Sequence, residues 1–131
     1  MKEIKSELRF VNYIVDSVEF KNNPGFEGEE TQLDFKPSVE FDIDDNDLLV
    51  LLTVDVFKDA EKNNYPFEMS VSVVGYFKLT TEENIEKYKA NAVAVLFPYV
   101  RSIISTYTAA ANVNPLILPT VNINKMLNAV E

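Results

Sequence analysis

Asp42-Ile43-Asp44-Asp45-Asn46-Asp47 is the densest run of potential ligands in the chain, and it opens like a calcium-binding loop. Such a loop needs a glycine at its sixth position for the sharp turn and a glutamate at its twelfth. Here those positions are Asp47 and Thr53, so the run reads as a turn between two strands and no metal is expected. The chain has no His and no Cys, which removes Ser-His-Asp and Cys-His nucleophiles, disulfides and the usual zinc sites. Its three glycines, at 25, 28 and 75, are too scattered to form a phosphate-cradling loop. Carboxylates could pair in space for acid-base work, but no spacing singles a pair out. The chain is therefore read as a non-enzyme without a cofactor.

Charge and length narrow the class further. A formal net charge of -9 argues against nucleic acid, because phosphate binding needs clustered Lys or Arg. Between Asp16 and Lys62 there are fourteen Asp and Glu against four Lys, which suits either a solvated acidic sheet face or a docking surface for a basic partner. The 131 residues, 47% of them hydrophobic, are enough for one cored domain spanning 1–131. Met1 to Phe10 lacks the apolar core of a signal peptide, and no apolar run approaches the ~18 residues of a membrane span. No membrane insertion and a cytoplasmic location are the expectations.

The elements run strands first, helices afterwards. Leu8 to Phe20 alternates, but Val11, Tyr13 and Val15 make its middle apolar on both faces and invite a neighbouring strand. Lys21 to Lys36, with Asn22-Asn23-Pro24-Gly25, predicts a long crossing loop that contains Phe26 and Phe35. Val39 to Ile43, Leu48 to Lys58 and Phe67 to Phe77 predict three further strands, joined by turns at Asp45-Asn46-Asp47 and Asp59 to Pro66. Two hairpin-like turns make the sheet antiparallel. Thr80 and Glu83 have the spacing of a capping box, and Asn122 to Val130 has room for a last helix with Ile123, Met126, Leu127 and Val130 on one side. The order gives an α+β fold with helices on one face of a four-stranded sheet.

Between Lys89 and Lys125 the only charged residue is Arg101, where average density would give about nine charges. Val93, Leu96, Phe97, Val100, Ile103, Ile104 and Tyr107 follow helical spacing and predict a core stripe, with Pro98 expected to kink the helix or restart it. The opposite face, Ala94, Arg101, Ser102, Ser105, Thr108 and Ala109, is small and weakly polar. It suits close packing against another helix, of this domain or of a second subunit.

Leu96-Phe97-Pro98-Tyr99-Val100-Arg101, followed by Asn114-Pro115-Leu116-Ile117-Leu118-Pro119-Thr120-Val121-Asn122, closely resembles the paired signature of SecB, the bacterial protein-export chaperone. Phe35-Lys36-Pro37 and Gly75-Tyr76-Phe77 extend the likeness more weakly upstream. The resemblance implies a four-stranded antiparallel sheet with a crossing loop after strand one, two helices on one face, and a homotetramer built as a dimer of dimers. Val11, Tyr13 and Val15 of the first strand, with Ser102, Ser105 and Ala109 of the long helix, would form its subunit contacts. It also implies an ATP-independent holdase that carries unfolded preproteins in an apolar groove and hands them to the SecA motor. Phe26, Phe35, Leu116, Ile117, Leu118, Val121 and Ile123 would line that groove, although each also fits plain core.

The chain departs from the family at its motor-facing patch. Positions that carry acids in SecB align with Ser17, Lys21 and Ser70, and an apolar one aligns with Glu68. The chain ends at Glu131 without the family's extended tail. SecA is therefore a doubtful partner, and a SecB-like chaperone with one narrow client, such as an antitoxin, is the alternative reading. A monomeric α+β module holding a small apolar ligand between helices and sheet is the third.

Overall fold

The computed structural model describes residues 7–29, 31–81 and 83–130. Four strands, β1 (Leu8–Asn22), β2 (Phe35–Asp44), β3 (Asp47–Val56) and β4 (Phe67–Leu79), form an antiparallel sheet in the order β1-β4-β3-β2. Alternation sorts their side chains between two faces. Leu48, Val50, Leu52, Val54 and Val56 of β3 and Phe67, Met69, Val71, Val73 and Phe77 of β4 are buried on the inner face. Thr53, Asp55, Glu68, Ser70 and Ser72 lie on the outer face, where the Thr53 and Ser72 hydroxyls meet at 2.8 Å.

Helices α2 (Lys89–Ala110) and α3 (Ile123–Val130) cover the inner face, as the α+β reading expects. A third, four-residue helix, α1 (Ala60–Asn63), sits inside the β3–β4 turn between Asp59 and Asn64, both in the left-handed region. Val93, Leu96, Phe97, Val100 and Ile104 of α2 are buried, Ile103 is half-buried and Tyr107 is exposed. By length and composition the helical run Ile85–Ala110 passes as a membrane span, a test that core helices also pass, so the expectation that no run reaches that length does not hold. Its buried stripe packs on β3 and β4.

Several local expectations are corrected. The Asp45-Asn46 turn is a two-residue hairpin, with Asp45 at φ 52, a conformation that Asp tolerates. β2 begins at Phe35 rather than Val39, so Phe35 belongs to a strand and not to the crossing loop. Pro37 is compatible with this because β2 is an edge strand. The Asp34 carbonyl accepts the Phe57 N–H at 2.9 Å, so by alternation the even residues of β2 face β3 and the missing N–H of Pro37 falls on the open edge. The Thr80–Glu83 capping box does not form. Instead the Thr80 N–H and hydroxyl both donate to the Glu7 carbonyl at 2.9 Å, prolonging the β1–β4 ladder. The helical segment starts with a 3-10 turn at Ile85–Tyr88, where the Asn84 side chain accepts the Glu86 N–H. α2 continues unbroken through Pro98, and both Pro98 and Ala94, whose carbonyl it cannot satisfy, are exposed.

The start of β1 is tied to this turn by Tyr88, whose hydroxyl bonds the carboxylates of Glu7 and Glu83. Lys87 bridges Glu83 at 2.7 Å. Donation from Lys87, then from Tyr88, holds the Glu83 carboxyl down at about 2. The two carboxylates push the Tyr88 hydroxyl well above its ordinary value.

Candidate functional site

A groove of about 600 Å³ runs between the open edge of the sheet and the start of α3. Phe35, Lys36, Pro37 and Ser38 of β2 form one wall, and Val121, Asn122, Lys125 and Met126 form the other. β2 supplies its wall because edge-strand alternation turns Phe35, Pro37 and Val39 toward the helix side. α3 supplies the other because Asn122 caps it, accepting the Lys125 N–H at 3.0 Å, which sets Met126 inward and Lys125 outward. The groove is bordered by an unpaired strand edge and by aliphatic and aromatic side chains. That combination suits an extended apolar polypeptide, and it contains no nucleophile paired with a base.

The nominated groove residues fall in different places. Phe35 and Val121 line the groove. Ile123, half-buried, is the first residue of α3. Leu116, Ile117 and Leu118 lie in the strap between α2 and α3; Leu116 is half-buried, Ile117 is 74% exposed and Leu118 is fully buried. Leu118 thus belongs to the core. Phe26 is held away from the groove because its loop is pinned to the β3–β4 turn. Asn23 is buried, with its amide donating to the Ala60 and Tyr65 carbonyls, and Glu27 and Asn64 exchange two hydrogen bonds, at 3.0 and 2.8 Å. Pro37 and Met126 complete the groove, and the spacing Phe35-Pro37-Val39 was the available signal for the former.

The nominated contact residues also divide. Val11 and Val15 are 43% and 47% exposed on edge strand β1, and Ser102 and Ala109 are exposed on α2. Tyr13 is half-buried and stacks on Tyr99 of its own chain at 4.4 Å. The weakly polar face of α2 is not wholly free. Thr108 is fully buried, and Ser105 and Arg101 are half-buried beneath the strap, donating to the Leu116 carbonyl at 2.8 Å and the Leu118 carbonyl at 3.0 Å.

Ser17, Lys21, Glu68 and Ser70 share the outer sheet face. Lys21 pairs there with Glu61 at 3.8 Å. Among the described residues no group of three or more Asp and Glu is placed to hold a metal ion.

Residues 10–130 match the family model of SecB, preprotein translocase subunit SecB. An uncharacterized protein of Methanocaldococcus jannaschii, MJ0357, is 37% identical over 97% of this chain and 86% of its own length. Among solved structures, the Mycobacterium tuberculosis Rv1957 SecB-like chaperone, in complex with a ChAD peptide from the Rv1956 HigA1 antitoxin, superposes with a TM-score of 0.68. It is 12% identical, and the match covers 88% of each chain.

Proposed function

The chain belongs to the SecB family, and from that premise we propose that it is a nucleotide-independent holdase whose clients are unfolded polypeptides. The observation that carries this reading is the groove between the β2 edge and α3, walled by Phe35, Pro37, Val121 and Met126. An unfolded chain exposes apolar side chains and unpaired backbone together. A groove that offers apolar surface beside an open strand edge engages both, and does so with little sequence discrimination. Folded proteins have already satisfied both needs and are ignored.

Export is the broad form of this activity, and a dedicated client is the narrow form. The antitoxin-peptide complex of the structural neighbour and the recast outer face at Ser17, Lys21, Glu68 and Ser70 favour the narrow form. An acidic docking surface steers a basic partner by charge complementarity, and Lys21 opposes it. We further propose that subunits pair through β1 and pack through α2 as a dimer of dimers. Light scattering is expected to show a tetramer; a ~15 kDa monomer, the mass of one 14.9 kDa chain, would count against that assembly.

The test is aggregation of a chemically unfolded client followed by turbidity, without nucleotide, over a range of chaperone. Suppression near stoichiometry, with no effect on the same client when native, is expected. Unaltered aggregation in the presence of folded chaperone would refute the reading.

A further inference from the structure

Thr108, Ser105 and Arg101 lie on one face of α2 at i, i+3 and i+7 counted back from Thr108, and all three bond the backbone of the strap that follows the helix. The Thr108 oxygen accepts the Leu116 N–H at 2.9 Å while its own proton stays with the Ile104 carbonyl at 2.8 Å. Ser105 donates to the Leu116 carbonyl and Arg101, through Nε, to the Leu118 carbonyl. Helical rise puts residues 101 and 105 about 6 Å apart, and two residues of extended chain span about 6.6 Å, so the two sets of groups are commensurate. Side chains of a helix thereby take the place of a neighbouring strand.

We propose that this three-rung ladder is a positioning device for client binding. It holds Leu116–Leu118 extended, buries Leu118, and turns Ile117, 74% exposed, outward, four residues ahead of Val121 in the groove wall. The one charge in the uncharged stretch is used here as a backbone donor, since among the described residues Arg101 has no ion-pair partner. Alternation turns the N–H and C=O of Ile117 away from α2, where an extended apolar client segment can lie along them. The inference rests on the holdase reading, so its test needs one readout that does not depend on any client.

That readout is amide exchange at Leu116, measured with affinity for reduced, carboxymethylated lactalbumin on the full assembly. Thr108→Val keeps the shape and removes the acceptor. It is expected to speed Leu116 exchange about tenfold and to weaken lactalbumin binding roughly five-fold, the scale of one hydrogen bond. Thr108→Ser returns the oxygen and restores both. Faster exchange with unchanged affinity, or unchanged exchange, would overturn the proposal. If wild-type protein binds no lactalbumin, the holdase reading fails, while the exchange result still decides whether the ladder orders the strap. Should Thr108→Val not fold, Arg101→Met carries the test, because it keeps an unbranched apolar stem and removes every donor to the Leu118 carbonyl. It is expected to bind lactalbumin roughly five-fold more weakly, and wild-type affinity in Arg101→Met would overturn the ladder's role.

Discussion

Ile117 and Leu118 are adjacent, chemically alike and opposite in environment, so the same substitution separates binding from folding. Ile117→Ser leaves stability within about 0.5 kcal/mol because the side chain is already in water. It is expected to weaken an unfolded client roughly five-fold, or ~1 kcal/mol, through lost apolar contact. Leu118→Ser removes a fully buried side chain and costs about 3 kcal/mol or more in chemical denaturation. Equal effects on stability from the two would place the strap wrongly. Gly75 is the other residue whose role is local. A Cβ there would come within 2.6 Å of the Leu96 side chain, itself fully buried. Gly75→Ala is expected to destabilise by about 1–3 kcal/mol of overpacking, read as a lower denaturation midpoint.

At the scale of elements, the strands were legible in sequence wherever one face is polar, as in Phe67 to Phe77. The first four residues of β2 were not, because Pro37 reads as a strand breaker until the strand is known to be an edge. Periodicity placed Val93, Leu96, Phe97, Val100 and Ile104 in the core stripe of α2 but also Tyr107, which is exposed, and put Thr108 on the face expected to pack against another helix. Its burial comes from the strap, a tertiary contact with no period. Of the residues lining this groove, Phe35 and Val121 were nominated; Phe26 lies elsewhere, and the hydrogen bonds of Asn23 and Asn64 that pin its loop leave no pattern in composition. The tie between β1 and the helical segment has a pH signature. Glu83 is held at about 2, below its ordinary 4.5, so its ionised form stabilises the fold above pH 4.5. That stability is lost as pH falls from 4.5 through 2. Glu83→Gln is therefore expected to melt lower than wild type at pH 7, with the difference vanishing near pH 2; a pH-independent difference would show that the carboxylate's charge is not what matters.

For the whole molecule, the open edges of the sheet have separate proposed uses: β2 borders the client groove and β1 faces a second subunit. Alternation along β4 from the Glu7–Thr80 bond makes Val74 face β1, and past the register shift between Phe10 and Asn12 its partner Ile14 turns its N–H toward β4 and Val15 turns its own outward. Val15→Pro is thus expected to break assembly through β1 while sparing the fold, read by light scattering alongside circular dichroism. An intact assembly in the folded variant would move the interface off β1. The groove itself is tested most directly by amide-exchange footprinting of the assembled protein with and without a permanently unfolded polypeptide, in the absence of nucleotide. The account predicts new protection at Phe35 and Val39, whose N–H groups face the open edge, and along Ile117–Met126, with the amides of β3 and β4 unchanged. Protection confined to the outer sheet face, or none anywhere at saturating client, would contradict it.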